Sequence, residues 1–216
     1  MAKIITISRE FGSGGRELGK RLADLTGYDY YDSEIISAVA KNSGMDEHYV
    51  ENTLANHGWQ NHTITFRGTL SSSAYIQYSK INLLLEQKKV IEQIAALGKD
   101  CIIVGRNADI ILRNYQPFHV FVCADTKAKV KRCVERAPKG ETFTEKELIR
   151  KMKQIDKNRS QTREIIGGSV WGQRDAYHLT VNTTDWEIKD LVPAIADFAA
   201  RWFGRTEWCA SSVQLI

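Results

Sequence analysis

Residues 8–23 read SREFGSGGRELGKRLA and place three glycines and a serine between a short apolar segment and a helix-like segment. Glycines let the backbone adopt positive φ angles and approach an anion closely, and N–H groups at the start of a helix attract phosphate. The chemistry that this stretch predicts is therefore phosphate binding. The residues expected to contact phosphate groups are Gly12, Ser13, Gly14, Gly15, Arg16 and Glu17.

The stretch departs from the standard phosphate-binding loop G-x-x-x-x-G-K-[ST], in which lysine contacts the terminal phosphates and Ser or Thr binds magnesium. Here Arg9 occupies the position of the first glycine, and Gly15 occupies the position of the lysine. We expect Arg16 to supply the missing positive charge through its longer, forked side chain. Glu17 could hold magnesium through water, and no other protein ligand for the metal is predicted. The alternative is that Arg16 and Glu17 form an ordinary exposed pair.

Composition bounds the class of protein. The chain has 216 residues, of which 43% are hydrophobic and 26% charged, and we expect one globular domain over residues 1–216. It has no apolar run of membrane-spanning length, no signal-peptide pattern and no C-x-x-C pair, so a cytoplasmic location is expected.

Positive charge is concentrated in one region of the chain. The net charge is +4, but thirteen Lys and Arg stand against five Asp and Glu between residues 127 and 163. This region is either a solvated helix face or a site for a polyanion, such as a nucleoside phosphate or a nucleic acid.

The elements that must position these residues alternate between strands and helices. Strands are predicted at residues 3–8, 101–104, 119–123 and 178–182. Helices are predicted from the glycine loop to Gly27, and then at 32–42, 79–97, 125–136, 144–166 and 184–203, the last kinked or divided by Pro193 near Val192. Because the strands are continuous apolar runs, the pattern predicts a parallel sheet covered on both faces, the three-layer α/β/α class.

Five segments of the chain resemble the cytidylate kinase-like family, relatives of the bacterial cytidylate kinases. The segments are ISREFGSGGRELGKRLA, YYDSEII, CIIVGRNADIIL, KMKQIDKNRSQTR and HLTVNT. They follow the family's order and cover residues 3 to about 203. This branch of the family commonly carries G-S-G-G-R instead of the lysine loop.

The resemblance implies a P-loop NTPase core with a parallel sheet and two additional parts. Residues 44–80 correspond to a helical acceptor-binding insertion, and residues 138–168 to a lid. The implied activity is transfer of a phosphoryl group from ATP, with Mg²⁺, to a nucleoside monophosphate, above all CMP or dCMP. The partner is then a small nucleotide, and we expect neither a membrane nor a nucleic acid. The oligomeric state stays open, a homodimer among the options.

A different class of function is compatible with the same residues. A chain that kept the fold after losing the loop lysine would bind nucleotides without turning them over, as a regulatory protein. Nucleotide binding without turnover would distinguish this alternative from the kinase.

The resemblance also implies roles on the acceptor side. Arg106 and Asn107 match the G-R-D motif of cytidylate kinases, in which the arginine binds the acceptor phosphate and the aspartate a sugar hydroxyl. Asn107 departs from that motif because it carries no charge. Asp32 matches an aspartate on the acceptor side, and it could equally be the N-cap of the following helix.

The last set of predicted site residues lies in the basic region. Asp156, Arg159 and Arg163 repeat the D-x-x-R spacing of the family's lid and fall on one helical face. We expect Asp156 on the acceptor side, and Arg159 and Arg163 as catalytic residues that neutralise charge on the transferred group. The alternative is an exposed helical ion pair between Asp156 and Arg159.

Overall fold

A parallel sheet forms the centre of the computed structural model, which describes residues 2–55, 71–137 and 144–212. Its strands are β1 (Ile4–Arg9), β2 (Asp29–Tyr31), β3 (Cys101–Val104), β4 (Phe118–Cys123) and β5 (Leu179–Asn182). The order is β2-β3-β1-β4-β5, and every neighbouring pair is parallel. In the register, Ile5 of β1 stands beside Ile102 on one side and Phe118 on the other. The predicted parallel sheet is confirmed.

Helices cover this sheet on both faces. They are α1 (Gly15–Thr26), α2 (Glu34–Ser43), α3 (Glu47–Ala55), α4 (Ser71–Ala96), α5 (Ala108–Ile111), α6 (Thr126–Glu135), α7 (Glu145–Ile166) and α8 (Ile188–Ser212), with short 3₁₀ turns at Arg113–Tyr115 and Arg174–Ala176. Asp125 caps α6 by accepting a hydrogen bond from the backbone N–H of Ala128. Thr144 and Glu147 form the capping box that their spacing predicts at the start of α7.

Two predictions about helix ends are wrong. Ser33, not Asp32, occupies the N-cap position of α2, and the Asp32 side chain faces a set of arginines instead. The last helix begins at Ile188 instead of residue 184, and it continues through Pro193 as one helix, so of the two predicted effects of the proline, a kink or a division, the division does not occur. Val192 and Ile195 on either side of that proline are buried in the core, so packing holds the helix on the sheet despite one missing N–H donor.

Successive residues of the strands point into two separate cores. On one face Ile4 and Ile103 pack with α2, α3 and α4, and on the other Ile5 and Ile102 pack with α1 and α8. A strand buried on both faces needs apolar residues at every position, which is the continuous pattern seen in the sequence. The predicted three-layer α/β/α architecture is confirmed.

The chain order of the strands creates a crevice at their carboxyl ends. β1 is central, with β3 on one side and β4 on the other, and ligands of open α/β sheets bind where the strand order reverses in this way. The glycine loop follows β1, Asp32 follows β2, and residues 105–107 follow β3. Over the described residues, the structure contains no helix with the length and apolar character needed to span a bilayer.

Candidate active site

The glycine loop joins β1 to α1 in a conformation that needs its glycines. Gly12 and Gly14 have φ angles of 78° and 84°, in the left-handed region that side chains disfavour. Ser13 between them is fully buried, and its hydroxyl donates a hydrogen bond of 2.8 Å to the carbonyl of Glu10. Because α1 begins at Gly15, its first N–H groups have no acceptor within the helix and are free to bind an anion.

Three other elements hold the loop in place. The Arg132 guanidinium of α6 donates to the carbonyl oxygen of Gly12 at 3.0 Å, and the Thr183 hydroxyl after β5 donates to the carbonyl of Ser13 at 2.7 Å. The backbone N–H of Phe11 donates to Asp156 of α7 at 2.8 Å. Sequence reasoning missed Arg132 and Thr183, since each contact joins residues more than a hundred positions apart and no local pattern marks it.

Two cavities open beside the loop. The first, the loop cavity, has a volume of about 640 Å³ and is lined by residues of the glycine loop, α6 and α7. The second, the strand-end cavity, has a volume of about 920 Å³ and lies over the ends of β1 and β3, between α3 and α7. The residues that line both cavities are Arg9, Phe11, Arg16, Lys151 and Arg159. The two spaces therefore meet at a boundary formed largely by cationic side chains.

Three arginines at this boundary, Arg9, Arg16 and Arg159, lie close to Arg106 of the strand-end cavity and to the buried carboxylate of Asp32. Arg9 contacts Asp32 with 3.5 Å between Nη2 and Oδ1, and Arg16 pairs with the same carboxylate through Nε. Arg106 and Arg159 are near enough to affect Arg9 electrostatically. We call Arg9, Arg16, Arg106 and Arg159 the arginine cluster. Three carboxylates act on its four cations, since Asp32 pairs with Arg9 and Arg16, Asp156 pairs with Arg159, and Glu51 attracts Arg106, so the cations still outnumber the carboxylates.

The environment of the cluster disfavours this charge. Burial, followed by the charge of Arg159, lowers the pKa of Arg9 to about 9. Burial likewise lowers the pKa values of Arg106 and Arg159, with the attraction of Asp32 for Arg106 and of Asp156 for Arg159 acting in the opposite direction. Buried cations are stabilised by anions, and this site has fewer anions than cations. A ligand with several negative charges would supply the missing partners.

The backbone after β3 is strained in a way that directs Arg106. Gly105, Arg106 and Asn107 have φ angles of 76°, 58° and 54°, three successive residues in the left-handed region. Such strain at non-glycine residues costs about 1–3 kcal/mol each and concentrates at ligand sites. Gln87 stabilises the turn by donating to the Arg106 carbonyl at 3.1 Å. The buried Nε of Arg106 has no hydrogen-bond partner in the described ranges, and both Arg106 and Asn107 line the strand-end cavity.

Helix α7 presents Arg159 to both cavities, whereas Asp156, expected on the acceptor side, lines neither of them and faces the glycine loop. Arg159 donates to the carbonyl of Arg9 at 2.8 Å and pairs with Asp156 at 3.0 Å. Burial raises the pKa of Asp156, although Arg159 and the N–H of Phe11 both favour its ionised form. Asp156 and Arg159 form an ion pair, as in the alternative interpretation of their spacing, but the pair is mostly buried and joins α7 to the glycine loop.

The Arg163 side chain does not lie in the cleft beside Arg159, where its spacing predicts it. Its side chain is 2% exposed, is paired with Asp109, and donates from Nε to the carbonyl of Ser169 at 2.7 Å. It also lies over the ring of Tyr177, with 5.4 Å from Cζ to the ring centroid. Arg163 lines neither cavity. The expectation that it points into the cleft with Arg159 is therefore corrected: the two residues are one helical turn apart, but Asp109 of α5 and Ser169 hold the Arg163 guanidinium away from both cavities.

Glu17 is occupied by cations of the protein. It accepts a hydrogen bond of 2.7 Å from Arg21, and it pairs with Arg136 at the end of α6. Partial burial opposes ionisation of Glu17, but the two arginines outweigh it and lower its pKa. Both carboxylate oxygens thus have partners, and Glu17 is not placed as an open magnesium ligand.

The other carboxylates near the loop do not fit a protein-held metal either. Glu10 pairs with Lys129 at 2.8 Å, and Asp32 is paired within the arginine cluster. No group of three acidic, histidine or cysteine side chains that could hold a metal ion occurs in the part of the chain that the structure describes. These pairings are compatible with a magnesium ion carried by bound phosphates.

Sequence reasoning also missed Arg9 as a site residue. Its signal was present, since an arginine stands where the standard loop requires glycine, but its importance depends on where the side chain points.

Trp171 lines the strand-end cavity and packs edge-on against Phe121, with 5.3 Å between the ring centroids. Tyr177 is buried in the core.

A parallel sheet of this order, a glycine loop after the central strand and two cavities joined at a set of arginines define the class: a P-loop kinase fold. The chain belongs to the cytidylate kinase-like family, whose profile matches residues 4–185. This confirms the resemblance read from the sequence. A search of curated proteins finds no match.

Solved structures agree with this class. An uncharacterized protein from Eubacterium ventriosum is similar over 92% of this chain and 98% of its own, with 25% identity and a TM-score of 0.66. Shikimate kinase from Acinetobacter baumannii, solved with shikimate, covers 93% of this chain and 94% of its own at 12% identity and a TM-score of 0.52. Shikimate kinase from Bacteroides thetaiotaomicron gives 12% identity and a TM-score of 0.53 over 91% and 97%. The two shikimate kinases are similar in fold alone.

Proposed function

We propose that the chain transfers the γ-phosphoryl group of ATP to a nucleoside monophosphate, with CMP or dCMP as the favoured acceptor. The observation that carries the proposal is the arrangement of two cavities that meet at the arginine cluster. A donor on one side and an acceptor on the other would bring two phosphate groups together at this boundary. Phosphoryl transfer depends mainly on positioning and on neutralising charge, and a cluster of arginines provides both.

The loop cavity suits the donor. Gly12, Gly14 and Gly15 line it together with Arg16, so the phosphates of ATP would lie against backbone N–H groups at the start of α1. Mg²⁺ carried by these phosphates would add positive charge to the transferred group.

The strand-end cavity suits the acceptor. Arg106 would bind the acceptor phosphate through its planar guanidinium, and Asn107 would donate a hydrogen bond to the sugar. Trp171 supplies an aromatic surface for a base on the same wall, while Asn52 and Gln154 supply amides for its edge. Residues 44–80, of which 56–70 lie outside the described residues, are proposed as the acceptor-binding insertion, and α3, which lines this cavity, supports the assignment.

The remaining residues act at the boundary. Arg159 lines both cavities, so its guanidinium stabilises the negative charge of the phosphoryl group throughout the transfer from donor to acceptor. Asp156 holds Arg159 in that position, and Arg16 extends from the first turn of α1 toward the acceptor side. The acceptor phosphate is already an anion, so the mechanism needs no general base. Residues 138–168, of which the structure describes 144–168 including α7, are proposed as the lid that excludes water.

A coupled assay of ADP release tests the proposal. The wild-type protein would be given ATP, Mg²⁺ and a panel of nucleoside monophosphates, with shikimate as a non-nucleotide acceptor. We expect turnover with CMP or dCMP, and a loss on the order of 100-fold in the Arg16→Ala variant. If a protein shown to be folded phosphorylated none of the nucleotide acceptors, that result would contradict the proposal.

A second candidate is supported by the altered loop itself. Position 15 carries no lysine, and Glu17 is held by Arg21 and Arg136 rather than left for a metal. A nucleotide-binding regulatory protein would need neither group. An increase in melting temperature with ATP, without turnover of any acceptor, would favour this second candidate.

A further inference from the structure

The standard loop has glycine at the position of Arg9 and lysine at the position of Gly15. The structure shows that these two departures depend on each other. A Cβ atom placed on Gly15 would lie 2.5 Å from Cβ of Arg9 and 3.0 Å from its Cγ. Gly15 is not among the residues with positive φ, so its backbone conformation is one that any residue adopts. What leaves no room for a side chain at position 15 is therefore the side chain of Arg9.

The far end of Arg9 fills a second space that only glycine leaves. Its Nη1 atom lies 1.7 Å from the place where a Cβ on Gly105 would be. The Arg9 side chain is 13% exposed and runs from beside the glycine loop to the end of β3, where Nη2 approaches Asp32. Both cavities are lined by Arg9, so its guanidinium lies at the boundary between them.

The surroundings of Arg9 indicate an anionic ligand. Arg159, Arg106 and Arg16 all disfavour its charge, and Asp32 favours it. The neighbouring Arg106 has a buried Nε atom that no partner in the described residues satisfies. An anion placed between these guanidinium groups would satisfy donors and offset the repulsion.

We propose that Arg9 supplies to bound phosphate the positive charge that a lysine at position 15 supplies in the standard loop. Arg9 does so from the end of β1, at the boundary of the two cavities. The identification of the anion as phosphate rests on the proposed function. Arg16 is less well placed for this role, because its side chain is 68% exposed and its Nε is paired with Asp32. The glycine at position 15 then follows from the arginine at position 9.

An exchange of the two residues tests this inference. The variants are Arg9→Gly, Gly15→Lys, and both together, which restores glycine and lysine to their standard positions. Binding of ATP and of inorganic tripolyphosphate would be measured by titration calorimetry, with a melting curve for each variant. The exposed Arg201→Met variant on α8 controls for the loss of one positive charge away from the cavities.

Each single variant is expected to bind both probes more weakly, on the order of 100-fold. Arg9→Gly lacks the charge, and in Gly15→Lys the new side chain collides with Arg9. The double variant is expected to recover binding to within about tenfold of the wild type, because the two changes are coupled. Wild-type binding by Arg9→Gly, or a double variant no tighter than the weaker single variant, would overturn the inference.

A milder pair of variants keeps the test valid if Gly15→Lys does not fold. Arg9→Met removes the charge but keeps an unbranched side chain, whereas Arg9→Lys keeps the charge. We expect Arg9→Lys to bind tripolyphosphate more tightly than Arg9→Met, and equal affinities would overturn the inference. The binding cycle is independent of turnover: a wild type that phosphorylates no acceptor would overturn the proposed function alone, and turnover unaffected by Arg9→Gly would overturn this inference alone.

Discussion

Arg159 and Arg163 lie four residues apart on α7, and the structure uses them in opposite ways. Arg163 is enclosed by Asp109, Ser169 and the ring of Tyr177. Arg159 has one acidic partner, Asp156, and lies in a cluster where cations outnumber carboxylates.

The difference shows how a structural arginine can be told from a ligand-binding one. The contacts of Arg163 come from the protein itself, so its charge is compensated before any ligand arrives. The arginine cluster is compensated only in part, and its cations line open space. Charge that a fold leaves uncompensated beside a cavity indicates where an anion binds.

The largest effect is expected from Arg163→Met, and it is an effect on stability. Removing one partner of a buried ion pair leaves Asp109 charged and buried, which costs about 3–5 kcal/mol in the free energy of unfolding. Urea denaturation would measure the loss. The double variant Arg163→Met, Asp109→Leu removes both charges and should recover most of it. If the single variant lost less than about 1 kcal/mol, the contrast between the two arginines would fail.

Arg159→Met should show the opposite behaviour. We expect kcat to fall by about 10²–10³-fold, because a cation at the boundary of the two cavities is removed from the transition state. The matched control is Lys157→Met, an exposed basic residue on the same helix that lines neither cavity. Equal rates for the two variants would show that Arg159, like Arg163, serves the fold.

Sequence patterns predicted the sheet and most helices because those signals are local. Thr144 with Glu147 and the apolar run at residues 101–104 each carry their meaning within a few residues. The direction of the Arg163 side chain depends on Asp109, 54 residues earlier, so spacing along α7 could not reveal it. The three-residue strand β2 was missed because so short an edge strand has too few residues to show a pattern.

The candidate site was predicted in the same uneven way. The glycine loop and Arg106 stand in recognisable motifs, and the structure places them around the two cavities. The contact of Arg9 with Gly105 and the hydrogen bond from Thr183 to the loop bring together strands distant in sequence. Such contacts follow from the order of the strands, which the motifs do not encode.

A moderate effect is expected when phosphate is added to the protein without nucleotide. At ten times its dissociation constant, phosphate should stabilise the wild type by about 1.4 kcal/mol, which raises the melting temperature by about 3–6 °C for a chain of this size. Arg106→Met should lose this response and should melt no lower than the wild type without phosphate, because it removes a buried cation from a crowded cluster. Chloride at equal ionic strength is the control, and an equal response in both proteins would remove Arg106 from the anion site.

The smallest effect is expected from Glu17→Gln, which extends the comparison of arginine ion pairs to pairs that are partly exposed. The pairs of Glu17 with Arg21 and Arg136 are partly open to solvent, so their loss should cost no more than about 1 kcal/mol. Since both of its oxygens are held by arginines, the dependence of the rate on Mg²⁺ concentration should not change. Titrating Mg²⁺ at saturating ATP would measure this. A tenfold rise in the Mg²⁺ concentration needed for half-maximal rate would mean that Glu17 leaves its arginines and holds the ion during turnover.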